Sequence, residues 1–153
     1  MQNIQFIKLR PTDALPFRLL LLADETIEAI EKYIYEAEVY ILADQQQTIG
    51  VAALYRHSAD EMEIKNIAIA SPYQKKGIGS FFITQIIRLA KELGYKTLIV
   101  GTAATGHQQL RFYERNGFRK YARRKNFFIN NYPQPIYENG IRLKDMILLK
   151  QEL

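Results

Sequence analysis

One short stretch of the sequence combines glycines with lysines in a way that suits an anionic ligand. It comprises Gln74, Lys75, Lys76, Gly77, Ile78, Gly79 and Ser80, and it lies between a predicted strand and a predicted amphipathic helix. The first backbone amides of a helix have no partner within the helix, and the helix dipole adds positive potential there. With two lysine ammonium groups beside these amides, the sequence predicts a phosphate-binding turn.

Two common phosphate-binding motifs do not fit this turn. No lysine followed by serine or threonine comes after the second glycine, which excludes a P-loop. The dinucleotide fingerprint matches at Gly77 and Gly79, but Phe82 occupies the position of its third glycine. The turn is preceded by a strand that ends in the apolar residues Ile67, Ala68 and Ile69.

Composition sets the broad class of the protein. A chain of 153 residues, with 48% hydrophobic and 24% charged residues, is large enough for one domain with a proper core. The absence of cysteine excludes disulfides, thiolate metal sites and cysteine nucleophiles. The two histidines, His57 and His107, show no metal-ligand spacing, so we expect no metal.

Charge and hydropathy limit which kinds of partner the protein can bind. The net charge of +5 and the pI near 9.4 suit an anionic ligand, and they would equally suit nucleic acid. The N-terminus lacks the hydrophobic region of a signal peptide, and the apolar run at residues 17–23 is too short to span a bilayer. We therefore expect a soluble cytoplasmic protein that does not enter a membrane.

The first half of the chain predicts a strand, two helices and a hairpin. The strand covers residues 2–9, and Thr12 or Asp13 caps a helix that continues through Leu22. Asp24 opens a second helix, and residues 38–43 and 49–55 form the two strands of the hairpin. In the next strand the apolar pattern changes phase between Ile64 and Ile67, which predicts a β-bulge of one extra residue.

The second half of the chain predicts further strands and one more helix. After the central helix, residues 97–101 predict a strand, 106–115 a helix, 118–128 a strand and 141–149 a closing strand. Residues 130–140 are polar and turn-rich. No repeat or linker is apparent, so we expect a single domain over residues 1–153.

The glycine turn resembles the coenzyme A pyrophosphate loop of the GNAT acyl-CoA N-acyltransferases, which have Arg or Gln, two variable residues, Gly, one variable residue, and Gly or Ala. A second stretch, Phe112-Tyr113-Glu114-Arg115-Asn116-Gly117-Phe118, is similar to the family's Leu/Phe-Tyr-x-x-x-Gly-Phe. The two motifs and the strand between them cover about the central third of the chain, and the order of elements agrees over nearly all of it. The resemblance implies the α/β GNAT fold, a mixed and mostly antiparallel sheet of six to seven strands with about four helices, in which splayed strands form a cleft for coenzyme A.

The resemblance also implies a reaction, in which an acetyl group passes directly from acetyl-CoA to a primary amine within a ternary complex. The cofactor would be held by residues 67–69 and 74–80, and the backbone amides of residues 67–69 would stabilise the developing oxyanion. The resemblance points to Tyr113 as the general acid that protonates the leaving thiolate. The alternative is a core aromatic residue, since Leu110 and Tyr113 also make an apolar i, i+3 pair.

Several residues could act as the general base. Glu63 lies five residues before Ala68, where several GNAT enzymes place a glutamate that deprotonates the amine through water. The alternative is a solvated strand carboxylate that pairs with Lys65. Ribosomal-protein alanine acetyltransferases use a glutamate on the next strand, where this chain has Gly101. His107 could serve as a base or a ligand contact, or simply begin a helix.

The acceptor is expected to be a small-molecule amine or a peptide N-terminus. Residues 126–140 would border the acceptor cleft, with Tyr132, Tyr137 and Glu138 as candidate substrate contacts. The basic run at residues 119–125 fits a solvated strand face, a contact to coenzyme A or to an acidic substrate, or, least well, nucleic acid. Remaining alternatives are a non-catalytic coenzyme A-binding module and a basic nucleic-acid-binding module. A homodimer is plausible by family habit.

Overall fold

The computed structural model describes residues 3–153 and contains a central sheet with helices on both faces. Gln2, where the first strand was predicted to begin, lies outside the described residues. The strands are β1 (Ile4–Lys8), β2 (Glu38–Asp44), β3 (Gln47–Arg56), β4 (Glu61–Ile69), β5 (Thr97–Ala103), β6 (Arg119–Arg124), β7 (Tyr137–Glu138), β8 (Ile141–Arg142) and β9 (Met146–Glu152). The helices are α1 (Phe17–Ala23), α2 (Ile27–Glu31), α3 (Ile78–Glu92), α4 (His107–Arg115) and α5 (Phe127–Asn130), and a single 3₁₀ turn spans Ser71–Tyr73.

The sheet has seven strands in the order β1-β2-β3-β4-β5-β9-β6. Every neighbouring pair is antiparallel except β4 and β5, which are parallel. The predicted mixed, mostly antiparallel sheet is confirmed. The described residues form five α-helices rather than about four, and β7 and β8 make a separate small hairpin.

The predicted bulge in β4 is confirmed. Ala53 of β3 is opposite Asn66, whereas the next residue, Leu54, is opposite Ile64, so Lys65 is the extra residue. The Lys65 ammonium lies 5.9 Å from the centre of the Tyr33 ring, on the face of the sheet that α1 and α2 cover. A bulge re-aims the side chains around it, which explains why polar residues appear here inside an otherwise apolar strand.

The parallel ladder between β4 and β5 is short. It joins Glu61–Ile64 to residues 97–100 and stops at the bulge, although β4 continues to Ile69 and β5 to Ala103. Beyond Ile64 the two strands therefore diverge, and the edge of β4 that faces β5 has no ladder partner. This divergence opens the cleft that the resemblance implied.

Two apolar layers hold the sheet between the helices. On one face α3 buries Ile78, Phe82, Ile86 and Ala90, which recur every four residues along one side of the helix. On the other face Leu20 of α1 and Ile30 of α2 are fully buried against β3 and β4. The central strands are thus covered on both sides, which fixes the position of the cleft at their open end.

Several element boundaries differ from those predicted. Helix α1 begins at Phe17, so the predicted cap at Thr12 or Asp13 was wrong. The Asp13 carboxylate instead accepts the Arg10 backbone N–H at 2.7 Å and the Arg10 guanidinium at 3.1 Å, which stabilises a turn before the helix.

The predicted strand over residues 118–128 was too long. It ends at Arg124, because Asn126 takes a left-handed conformation (φ 56°) and its N–H donates to the Asp145 carboxylate at 2.8 Å. Phe128 of the short helix α5 is then buried against Leu143 and Ala103. The predicted closing strand divides in the same region into β8 and β9.

Candidate active site

A cleft of about 450 Å³ lies between the end of β4, the turn before α3 and helix α4, and we call it the glycine-turn cleft. Its lining includes most of the residues predicted to hold a cofactor, namely Ile67, Ala68, Ile69, Gln74, Lys75, Gly77, Gly79 and Ser80. Helix α4 contributes Gln109, Phe112 and Arg115. Of the predicted set, Lys76 is exposed outside the lining, and Ile78 is buried in the core beneath α3.

The turn is held in a conformation that leaves its amides free. Gly77 precedes α3 with φ of 79°, a left-handed conformation that glycine adopts without steric cost. The first N–H to bond within the helix is that of Phe81, so the amides of residues 78–80 have no intrahelical partner. The Gln74 side chain donates to the Ile69 carbonyl at 2.8 Å and thereby ties the turn to the end of β4.

Helix α4 fixes the floor of the cleft. Asn116 donates from its side-chain amide to the Ser80 hydroxyl at 3.2 Å. A Cβ atom at Gly79 would lie 3.2 Å from the Phe112 ring, so this position accepts a larger side chain only if the ring moves. Free amides, the Lys75 ammonium and the Arg115 guanidinium together give the cleft the donors and positive charge that a pyrophosphate group requires.

A second space of about 200 Å³, the middle cavity, adjoins the cleft through Leu22, Ile67 and Gln109, and Tyr113 lines it. Tyr113 is 7% exposed, and its ring meets Phe112 and Phe118 edge-on at 5.3 and 5.7 Å. Its hydroxyl has no hydrogen-bond partner within residues 3–153. Burial raises the pKa of this hydroxyl, so it stays protonated at neutral pH. Tyr113 is therefore both a core aromatic residue and a potential proton donor to the cavity.

A third space of about 330 Å³, the outer cavity, shares Ile64, Lys65 and Gly101 with the middle one, and Glu63 lines it. Glu63 is 7% exposed, and its carboxylate lies 2.7 Å from His57 Nε2 and 3.5 Å from Lys65 Nζ. The pairing with Lys65 that one alternative anticipated is present. The carboxylate is buried, however, and not solvated as that alternative supposed, and it faces a cavity, as a general base requires.

A hydrogen-bonded network joins the two sides of these cavities. The Asp24 carboxylate accepts from the Tyr132 hydroxyl at 2.6 Å and from the Tyr33 hydroxyl at 3.0 Å. Asn66 in turn donates to the Tyr33 hydroxyl at 3.1 Å and to the Leu20 carbonyl at 2.9 Å. Burial, together with the bond to Asp24, raises the pKa of Tyr132. The network ties the segment after α5 to the α1–α2 connection.

The remaining predicted substrate contacts are dispersed. His107 begins α4 and lines a further space of about 200 Å³ that shares Gln109 and Glu138 with the middle cavity, and Tyr113 is not part of its lining. Glu138 lines the middle cavity as well, and Tyr132 lines the outer one. Tyr137 is 61% exposed and lines none of these spaces.

Residues 9–118 match the model of the acetyltransferase (GNAT) family. The chain belongs to this family. The uncharacterized N-acetyltransferase YvbK of Bacillus subtilis is 36% identical over 137 residues, which cover 90% of this chain and 88% of that protein.

Two solved structures are similar over nearly the whole chain. A GNAT family acetyltransferase from Elizabethkingia anophelis, with acetyl-CoA bound, is 42% identical, with a TM-score of 0.96 and complete coverage of both chains. An IAA acetyltransferase from Bacillus cereus is 35% identical, with a TM-score of 0.91 and coverage of 98% and 99%. The expected family, fold and acetyltransferase class are thereby confirmed.

GNAT enzymes differ in which strand carries the carboxylate of the general base. In this chain, the packing around Gly101 bears on why that position has no carboxylate. A Cβ atom at Gly101 would lie 2.6 Å from the Met146 sulfur. A glutamate at this position would therefore require the Met146 side chain to move aside. Glu63, two residues before the extra residue Lys65, is the carboxylate that lies beside the bulge.

Several contacts and residues of this GNAT site were not predicted from the sequence. His57 and Glu63 are brought together by the tight turn between β3 and β4, a contact that the predicted hairpin register could have indicated. Asn66 is a polar residue within the phase change between Ile64 and Ile67, and this position could have marked it as part of the site. Asp24 and Glu25 carry no local signal, because they meet the cavities only through tertiary contacts.

The described part of the chain offers no group of three or more His, Cys, Asp or Glu side chains that could hold a metal ion. None of its helices is both long and apolar enough to cross a membrane. The homodimer and the cytoplasmic location stay predictions.

Proposed function

We propose that this protein transfers the acetyl group of acetyl-CoA to a primary amine of a small molecule, by direct attack within a ternary complex. The observation that carries the proposal is that three spaces adjoin one another through shared lining residues: the glycine-turn cleft, the middle cavity with Tyr113 and the outer cavity with Glu63. One end suits a nucleotide thioester, and the other suits an amine.

The glycine-turn cleft is the site for acetyl-CoA. The amides at the N-terminus of α3 would bind its pyrophosphate, assisted by Lys75 and Arg115. The unpaired edge of β4 beyond Ile64 would bind the pantetheine arm, and amides of residues 67–69 would stabilise charge on the carbonyl oxygen. The Elizabethkingia structure, which holds acetyl-CoA and is 42% identical over the whole chain, supports this assignment.

Acetyl-CoA supplies an activated thioester carbonyl. The amine nitrogen forms a bond to the carbonyl carbon, the carbon–sulfur bond breaks, and Tyr113 donates its proton to the departing sulfur. Glu63 accepts the proton that the amine nitrogen loses, directly or through water. His57 contacts Glu63 at 2.7 Å, and its side chain is 35% exposed, so it connects the base to solvent.

A small molecule fits the acceptor side better than a peptide. The two acceptor cavities measure about 200 and 330 Å³, and the Tyr132 hydroxyl bonds to Asp24 at 2.6 Å across 108 residues of sequence. This bond links the two walls of the space. A peptide that continued beyond its first residue would have to pass between them.

Thiol release from acetyl-CoA in the presence of amines tests the proposal. We expect release that depends on the amine, with stoichiometric acetylated amine detected by mass spectrometry. Short peptides with free N-termini serve as the comparison. Release that does not depend on any amine, or a peptide preferred over every small amine, would contradict the proposal.

A further inference from the structure

Two carboxylates of the middle cavity have no cationic partner. Glu25 lies in the connection between α1 and α2, and Glu138 lies in β7, so separate parts of the chain bring them to one space. Neither forms an ion pair within residues 3–153. Burial raises the pKa of Glu25, and the negative charges of Glu138 and Asp24 raise it further. A cation between Glu25 and Glu138 would relieve this repulsion.

The cation that lines the middle cavity is already engaged elsewhere. Lys65 lies with its ammonium 3.5 Å from the Glu63 carboxylate and over the rings of Tyr33 and Tyr55, at 5.9 and 5.8 Å from their centres. These three contacts hold the ammonium beside Glu63. The charges of Glu25 and Glu138 therefore stay unbalanced within the cavity.

A buried amide oxygen of a residue that lines the same cavity also lacks a partner. Asn66 is 3% exposed, and its Oδ1 accepts no hydrogen bond from the described residues. Its orientation is fixed, because its NH₂ group donates to the Leu20 carbonyl and the Tyr33 hydroxyl. Turning the amide would place two oxygen atoms against each other at Leu20. A buried acceptor without a donor is unfavourable, and an N–H of a ligand would satisfy it.

These observations share one chemistry, since two carboxylates and an amide oxygen all accept N–H donors. We propose that the acceptor is a small aliphatic diamine or polyamine, with one nitrogen facing Tyr113 and a second, charged nitrogen between Glu25 and Glu138. The inference rests on the proposed function and specifies its substrate. An acceptor with a carboxylate beside its amine, such as an α-amino acid, would be repelled by the same pair.

The test compares two amines of equal chain length, putrescine and butylamine, by kcat/KM for thiol release. We expect wild-type protein to favour putrescine by at least about tenfold, since its second ammonium would meet two carboxylates that have no other cationic partner. The double variant Glu25→Gln, Glu138→Gln should reduce this preference to about twofold or less while acetylation of butylamine continues. The matched control is Glu28→Gln, which removes an exposed carboxylate of α2 outside the cavity and should keep the preference.

Acetyl-CoA affinity and the unfolding temperature of each variant show that the comparison uses folded, cofactor-binding protein. Equal kcat/KM for the two amines in the wild type would overturn the inference, and so would an unchanged preference in the double variant. In both cases the proposed function would stand, because amines would still be acetylated. If acetyl-CoA binds and no amine is acetylated, the proposed function itself fails, and the inference fails with it.

Discussion

Replacing Tyr113 with phenylalanine separates its two possible roles. The variant removes one hydroxyl and keeps the ring that contacts Phe112 and Phe118. Since that hydroxyl has no hydrogen-bond partner among the described residues, we expect the free energy of unfolding to change by less than about 1 kcal/mol. A positioned general acid contributes about 10²- to 10⁴-fold to a rate. We therefore expect kcat to fall at least about 100-fold, equivalent to about 2.7 kcal/mol in the transition state.

The assay measures thiol release at saturating acetyl-CoA and amine, with cofactor affinity and thermal unfolding followed in parallel. Tyr121→Phe is the matched control, because Tyr121 is 41% exposed on β6 and lines none of the three connected spaces. A kcat within about twofold of wild type would show that the role of Tyr113 is purely structural. A loss of activity that parallels a large loss of stability would equally refute the reasoning.

Two further predictions concern charged groups. Glu63→Gln should lower kcat/KM most at low pH, where the amine is protonated and needs a base, and a pH profile parallel to that of wild type would reject this role. The pKa of Asp145 is lowered by the Asn126 N–H and then by the Arg123 guanidinium, so its stabilisation exists above its unfolded pKa and is lost as pH falls through the folded value. Asp145→Asn should thus lower the unfolding temperature at neutral pH, and the difference from wild type should shrink at acidic pH as the Asp145 carboxylate becomes protonated. An equal difference at both pH values would show that charge is not the cause.

The cofactor side of the site could be predicted from sequence because it is local. The strand end, the glycine turn and the start of α3 are contiguous, so their spacing alone indicated an anion site. The phase change between Ile64 and Ile67 likewise indicated the bulge at Lys65, since alternation along a strand is a short-range pattern. The divergence of β4 and β5 follows from that bulge.

The acceptor side could not be predicted in the same way. Its walls come from the α1–α2 connection, from β4 and from the segment around α5 and β7, and the Asp24–Tyr132 bond joins residues 108 positions apart. The predicted strand over residues 118–128 failed for a related reason. Asn126 ends it because Asp145, 19 residues away, accepts its N–H, and no pattern within the strand carries that information.

The central claim is that the glycine-turn cleft binds acetyl-CoA, and titration calorimetry of the purified protein tests it most directly. Wild type should bind acetyl-CoA with micromolar affinity and bind ADP more weakly. Gly79→Glu should abolish binding at those concentrations, because its side chain would press on Phe112 and place a negative charge beside the phosphates. Thr84→Glu adds the same charge to an exposed position of α3 outside the cleft lining and should bind as wild type does. Equal binding by wild type and Gly79→Glu, or no binding by wild type at millimolar acetyl-CoA, would contradict the account.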